Sequence, residues 1–314
     1  MKNCFIAIAL FLTGVLAAAD AAVLRFAPDS TVAVVGIELA GLMKHPDVIS
    51  TLNEPENKAR RQEIEKSVGV KLSDFEKFSV LVNARGEAIV LAEMNAGLNI
   101  EQIFLRNKLQ FKKFKIGACD VLQLTKPVKN GKIIEVATLA PGVILAGEKG
   151  DIAKYFAQKR GKVASGLRQV VTTVPAHVPF WLAFVNIFKG PDGKINDPQS
   201  LFLTFDFAGK NKRDYALTLV LDCAGEQGAQ IMQGMVPMYV NMGISMGIND
   251  PALAAEVAGC IKAKVSGRRV IVSALMSEAL GQKIGSYFKA NASRFLPGKQ
   301  QAAPAGNGSV QVVK

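Results

Sequence analysis

Apolar and polar residues follow two periods along this chain, and the switches between them mark its elements. After the turn at Pro28-Asp-Ser30, the run from Thr31 to Leu39 is nearly continuous in apolar residues and predicts a buried strand. Gly41 to Leu52 has helical spacing, broken or restarted at Pro46, and Glu54 to Val68 carries dense charge at helical spacing with Gly69 as its stop. Phe78 to Ala84 and Glu87 to Met94, separated by Arg85-Gly86, predict a β-hairpin. Next come a short helix from Ile100 to Leu109 and strands around Cys119–Thr125, Lys132–Thr138 and Val143–Ala146. Two more helices are expected, Asp151 to Lys159 with Asp151 as its cap, and Ala164 to Val171.

Pro175 and Pro179 bracket the expected domain boundary, and strand patterns dominate beyond them. Phe180 to Ile187 reads as a strand, and so do Leu201–Phe207 and Tyr215–Leu221, where large apolar residues recur at every second position. A methionine-rich stretch follows, then a helix from Asp250-Pro251 to Ile261 with Asp at the cap and Pro at its first position. A hairpin around Gly267-Arg268 and a helix from Glu278 to Ala290 close the pattern. The reading is an α+β protein of two lobes, 22–174 and 175–296, with antiparallel sheets covered by helices on one side. The tail 297–314 lacks any apolar period and is expected to be disordered.

The N-terminus adds a location. Lys2 precedes an apolar run from Phe5 to Leu16, followed by Ala17-Ala-Ala-Asp-Ala-Ala22. That is the layout of a secretory signal peptide, with cleavage after Ala19 or Ala21, so residues 1–21 are expected to be removed and the chain to be periplasmic or extracellular. The chain is basic, with a formal charge of +12, and between Arg106 and Lys162 it holds 13 Lys/Arg against 4 Asp/Glu. Lys112, Lys113 and Lys115 are the candidate contacts for a polyanion, such as an anionic glycan or an envelope surface; a solvated face is the alternative. No specific nucleic-acid motif occurs. Cys119, Cys223 and Cys260 have neither Cys-x-x-Cys spacing nor a nearby histidine, which excludes a zinc motif. They allow one disulfide with one free thiol, or three thiols.

Three stretches carry a likeness. Pro28-Asp-Ser-Thr with its apolar strand and Gly41-Leu-Met-Lys-His-Pro46 form the first. Leu72 to Val82 and Val265-Ser-Gly-Arg-Arg-Val-Ile-Val-Ser273 are the others. Together the chain resembles a group of uncharacterised exported bacterial proteins built of α+β repeats. The resemblance implies architecture and no activity.

Candidate chemistry concentrates in Ile231 to Ile248, which holds five of the nine methionines. On a helix, Met232, Met235, Met238, Met242 and Met246 fall within an arc of about 120°. Thioethers are soft ligands, so Met232, Met235, Met238 and Met242 form a candidate Cu(I) set. The competing expectation is a core helix that packs the stripe, Met235 and Met242 included, against a sheet. Gln227 to Asn249 is uncharged, but its amides, glycines and Pro237 point to a kinked helix rather than a membrane span, and no transmembrane span is expected in the mature chain. Gly243-Ile-Ser-Met-Gly247 spells a nucleophile elbow, but a helix precedes Ser245, and both histidines, His45 and His177, lie upstream. His45, before Pro46, is expected at the surface or at a helix cap. No dinucleotide fingerprint, P-loop or His-Glu-x-x-His is present, and no cofactor is implied. The functional expectation is an exported, non-enzymatic binding or scaffold protein. A Cu(I)-binding protein is the first alternative and a cryptic hydrolase the second.

Overall fold

β1 (Thr31–Glu38) shows how the molecule is layered. A strand turns successive side chains to opposite faces. Val34 therefore enters one core while Val35 and Ile37 enter another. Buried on both faces, β1 sits near the middle of the sheet, which explains its near-continuous apolar run. The computed structural model describes residues 21–95, 97–128, 131–160, 162–175, 178–185, 197–209 and 213–291. The expected signal segment up to residue 20, His177, the stretch 186–196 and the tail from 292 lie outside them.

Twelve strands among the described residues form one antiparallel sheet. In chain order they are β1, β2 (Phe75–Asn83), β3 (Ala88–Met94), β4 (Phe111–Ile116), β5 (Cys119–Leu124) and β6 (Ile134–Ala140). β7 (Val143–Glu148), β8 (Phe180–Val185), β9 (Ser200–Ala208), β10 (Asp214–Asp222), β11 (Ile261–Ser266) and β12 (Arg269–Met276) complete the set. Their spatial order is β11-β12-β10-β9-β8-β1-β2-β3-β7-β6-β5-β4. The α+β class and the antiparallel pairing stand. The expected boundary at Pro175 falls just before β8, and β8 pairs with β1 (Val35 opposite Leu182, Gly36 opposite Trp181), so the sheet runs unbroken across it.

Helices cover both faces of the sheet, not one. A 3-10 turn (Ala21–Arg25), α5 (Asp151–Ala157) and α6 (Ser165–Thr172) close one side over Val34, Leu81, Leu91, Leu145 and Trp181. On the other side lie α1 (Leu39–Leu42), α2 (Pro46–Asn53), α4 (Ile100–Arg106), α7 (Glu226–Gly247), α8 (Pro251–Gly259) and α9 (Glu278–Ala290). The charged α3 (Pro55–Val68) ends at Gly69, whose φ of 70° suits glycine. Asp250 caps α8 by accepting from Ala252 N and Leu253 N at 2.9 and 3.0 Å. Asp151 does not cap α5; Gly150 holds that position, and the Asp151 carboxylate accepts from Glu148 N instead.

The spacing misses one strand, β4. Half of its six residues are lysines, because it is an edge of the sheet. Lysines on an edge strand obstruct pairing with another chain. The opposite edge, β11, likewise exposes Lys262 and Lys264.

Close packing fixes one glycine of α9. A Cβ on Gly281 would stand 2.0 Å from Cε2 of Tyr215, against a ring rather than a flexible chain end. Gly281→Ala should therefore cost about 1–3 kcal/mol by overpacking. Gly285→Ala in the same helix meets open space and should gain about 0.5–1 kcal/mol. Chemical denaturation of the two variants checks the opposite signs.

Candidate interaction face on helix α7

α7 is a 22-residue helix, about 33 Å long, that continues through Pro237 and packs over β11 and β12. It docks by a line of residues four apart. Met232, Val236 and Val240, with Ala229, join the core formed by Leu221, Val270 and Val272, and Ile244 joins the next one. Met232 stands where that line and the methionine arc meet; the centres of the two lie about a third of a turn apart, so the rest of the arc turns outward. Met238 is 57% exposed, Met242 52% and Met246 77%, with Ile231 at 60% and Tyr239 at 45%. Met235 is half-buried.

This corrects the packing expectation. Of the five methionines only Met232 packs in the core, and Met242, expected there, is exposed. The physical reason is that α7 is apolar on two faces. The apolar side chains that β11 and β12 present meet the line of Met232, Val236 and Val240, so that line takes the core and the other thioethers are left outside. Nor are the four candidate Cu(I) ligands brought together: Met232 points into the core, while Met235, Met238 and Met242 share the outer arc.

Ser245 sits inside this helix, not at a strand-to-helix turn. Its hydroxyl donates to the carbonyls of Asn241 and Met242, the usual back-bonding of a helical serine. An elbow that presents a serine to substrate has a different backbone.

The three lysines do not converge either. Lys113 reaches Glu101 at 2.6 Å and Asp120 at 3.5 Å, and Lys115 reaches Asp120 at 3.9 Å. The hydrogen bond to Glu101 raises the Lys113 pKa above the usual lysine range. Strand alternation turns Lys112 to the other face, with Phe114 and Ile116.

Two further places hold polar side chains. A cleft of about 360 Å³ opens between α3 and α4, lined by Glu65, Lys66, Lys71, Asp74 and Arg106 among others. Its carboxylates are committed to the backbone: Glu65 accepts from Leu72 N at 3.1 Å and Asp74 from Lys71 N at 2.8 Å. The second place was not legible in the sequence. His45 holds the cap position of α2, as one of the two expectations had it, but it is buried rather than at the surface and stacks on Phe207 with ring centroids 3.7 Å apart. Its neighbour Asp47 accepts a 2.7 Å hydrogen bond from the Tyr215 hydroxyl. Burial, then the Asp47 carboxylate, hold the Tyr215 phenol well above its usual pKa. These contacts tie α2 to β10, residues far apart in the chain, and no local spacing announces them.

All three described cysteines are free thiols. Cys119 begins β5 near one end of the sheet, whereas Cys223 and Cys260 flank the other end, next to β10 and β11. Burial pushes the Cys223 thiol up to about 11, assisted by Asp197 and Asp222. No group of three or more His, Cys, Asp or Glu among the described residues could hold a metal ion, and no described helix is long and apolar enough to cross a membrane.

No family model matches the chain, and no curated protein matches it. Among solved structures it is similar to crystal form I of TP0453, with 14% sequence identity and a TM-score of 0.43 over 84% of this chain and 96% of that one.

Proposed function

We propose that this is an exported, non-enzymatic binding or scaffold protein of the cell envelope or extracellular space, and that its contact surface is the outer face of α7. The N-terminal segment, with its charged start, apolar run and alanine-rich end, supports export. One observation carries the choice of surface. Met238, Met242 and Met246 stand more than half exposed along one arc of a helix that is uncharged from Gln227 onward, with Ile231 and Tyr239 beside them. Large contiguous apolar patches on a protein surface mark interaction sites. Methionine suits such a site because its flexible, polarizable side chain adapts to the partner's shape.

The partner fitted by this face is an apolar helix. Ile231, Met235, Met238 and Met242 follow one another at intervals of four, three and four residues, the spacing of a helix-pairing seam. The test uses a synthetic helical peptide with leucine at every a and d position, titrated against the protein. Binding should weaken at least about tenfold in the Met238→Glu/Met242→Glu double variant, which is a loss of about 1.4 kcal/mol. Equal affinity for both proteins contradicts the assignment.

Exposure of the thioethers supports a second reading, Cu(I) binding by Met235, Met238 and Met242. Leucine separates the two. A Met238→Leu/Met242→Leu variant keeps an apolar face and should retain the peptide, whereas a copper site would lose its metal with the sulfurs.

A further inference from the structure

We infer that the partner of the α7 face is a second copy of this chain, joined face to face. The inference rests on the reading of α7 as a contact face and adds the identity of what it meets. In a seven-residue repeat, the seam positions supply contact area, and the positions beside them select a partner by charge. With Ile231 and Met238 at d and Met235 and Met242 at a, the exposed positions beside the seam are Gly234 and Asn241 on one flank and Tyr239 and Met246 on the other, Met232 being turned into the core. None is charged. The whole run from Gln227 to Asn249 is uncharged, while the chain carries a formal charge of +12.

That contrast points to self-association. Two copies repel over most of their surface, because net charge of one sign opposes contact. The α7 face is a neutral window through which they meet without like-charge cost. A partner chosen by charge would find nothing on its flanks to pair with. A bilayer is fitted by helices with lysine or arginine on the polar face, and α7 has neither. A second copy brings the same apolar arc and the same amide and hydroxyl rim from Gln227, Asn241 and Ser245. Such groups satisfy one another across a two-fold axis, where each surface patch faces its own copy.

Size and shape agree. Ile231, Met238, Tyr239, Met242 and Met246, with Phe288 extending the patch near Gly247, form an exposed apolar patch on the order of a few hundred Å², the size that marks an interaction site. Gly234 leaves the α7 backbone bare beside the seam, since a Cβ there would meet nothing within 4 Å. A second helix can therefore approach closely along that flank.

The experiment is sedimentation velocity on the full chain as recovered from the producing cells, over a concentration series, beside the leucine-peptide titration. The wild type should dimerise, and Met238→Glu/Met242→Glu should raise the dimer Kd at least about tenfold. Met238→Leu/Met242→Leu should remain dimeric. If the glutamate double variant fails to fold by circular dichroism, Met246→Lys at the most exposed methionine takes its place, with the same expected loss. A wild type that stays monomeric at every concentration yet binds the peptide overturns the inference and leaves the contact-face reading standing. A dimer undiminished by the glutamate and lysine variants overturns the inference as well, because the copies then meet elsewhere. Loss of peptide binding to a monomeric wild type defeats the contact-face reading itself.

Discussion

Trp181→Ala should lower the stability of the whole sheet by about 3–5 kcal/mol, the cost of truncating a fully buried tryptophan. The chain has one tryptophan, and its side chain is 0% exposed. It lies on β8, opposite Gly36 of β1 and Thr204 of β9, where the sheet passes from its first seven strands to its last five. The core it belongs to draws Val34, Leu81, Leu91 and Tyr155 from before the Pro175 boundary and Val178, Ala183 and Val185 from after it. The loss should therefore be shared, and urea denaturation followed by far-ultraviolet circular dichroism should shift as one transition. Two separated transitions would show that the halves hold independent cores. Trp181→Phe should be much milder. It keeps most of the volume and removes an indole N–H that is buried without a hydrogen-bond partner.

Local chemistry made much of this fold legible. The hairpin turns at Gly86 and Gly267 adopt the positive φ that their sequences imply, and the last helix spans the residues its spacing predicts, Glu278 to Ala290. Both depend on neighbours in the chain. The continuity of the sheet was not legible, because the pairing of Leu182 with Val35 joins residues that no periodicity relates. β4 was missed because its lysines serve an edge rather than an alternating face. His45 does take the cap position of α2, one of the two places expected for it, but its burial was not legible. Its burial comes from Phe207 and Tyr215, contributed by strands more than a hundred residues later.

The candidate face shows where sequence reasoning stops. Spacing puts the five methionines of α7 on one arc, but it assigns Met232, Val236, Val240 and Ile244 to an apolar arc just as well. A helix apolar on two faces does not say which one the sheet will take. The strands decide, since β11 and β12 present Ile261, Ala263, Val265, Val270 and Val272 to the line that docks. The methionines left outside the core are the ones on which the proposed contact face rests.

That orientation is the central claim, and glutamate substitution on the two faces of α7 tests it most directly. Val236 is 6% exposed within the core, so Val236→Glu buries a carboxylate without a partner and should cost more than about 3 kcal/mol, or abolish folding. Met242→Glu, on the outer arc, should change the stability of the monomer by no more than about 0.5 kcal/mol, as surface substitutions do. Both are read from urea denaturation at a protein concentration low enough that association contributes nothing. The account predicts a severe loss for Val236→Glu beside a near-neutral Met242→Glu. Comparable losses at the two positions would mean that the methionine arc is core after all, and the account of α7 would be wrong.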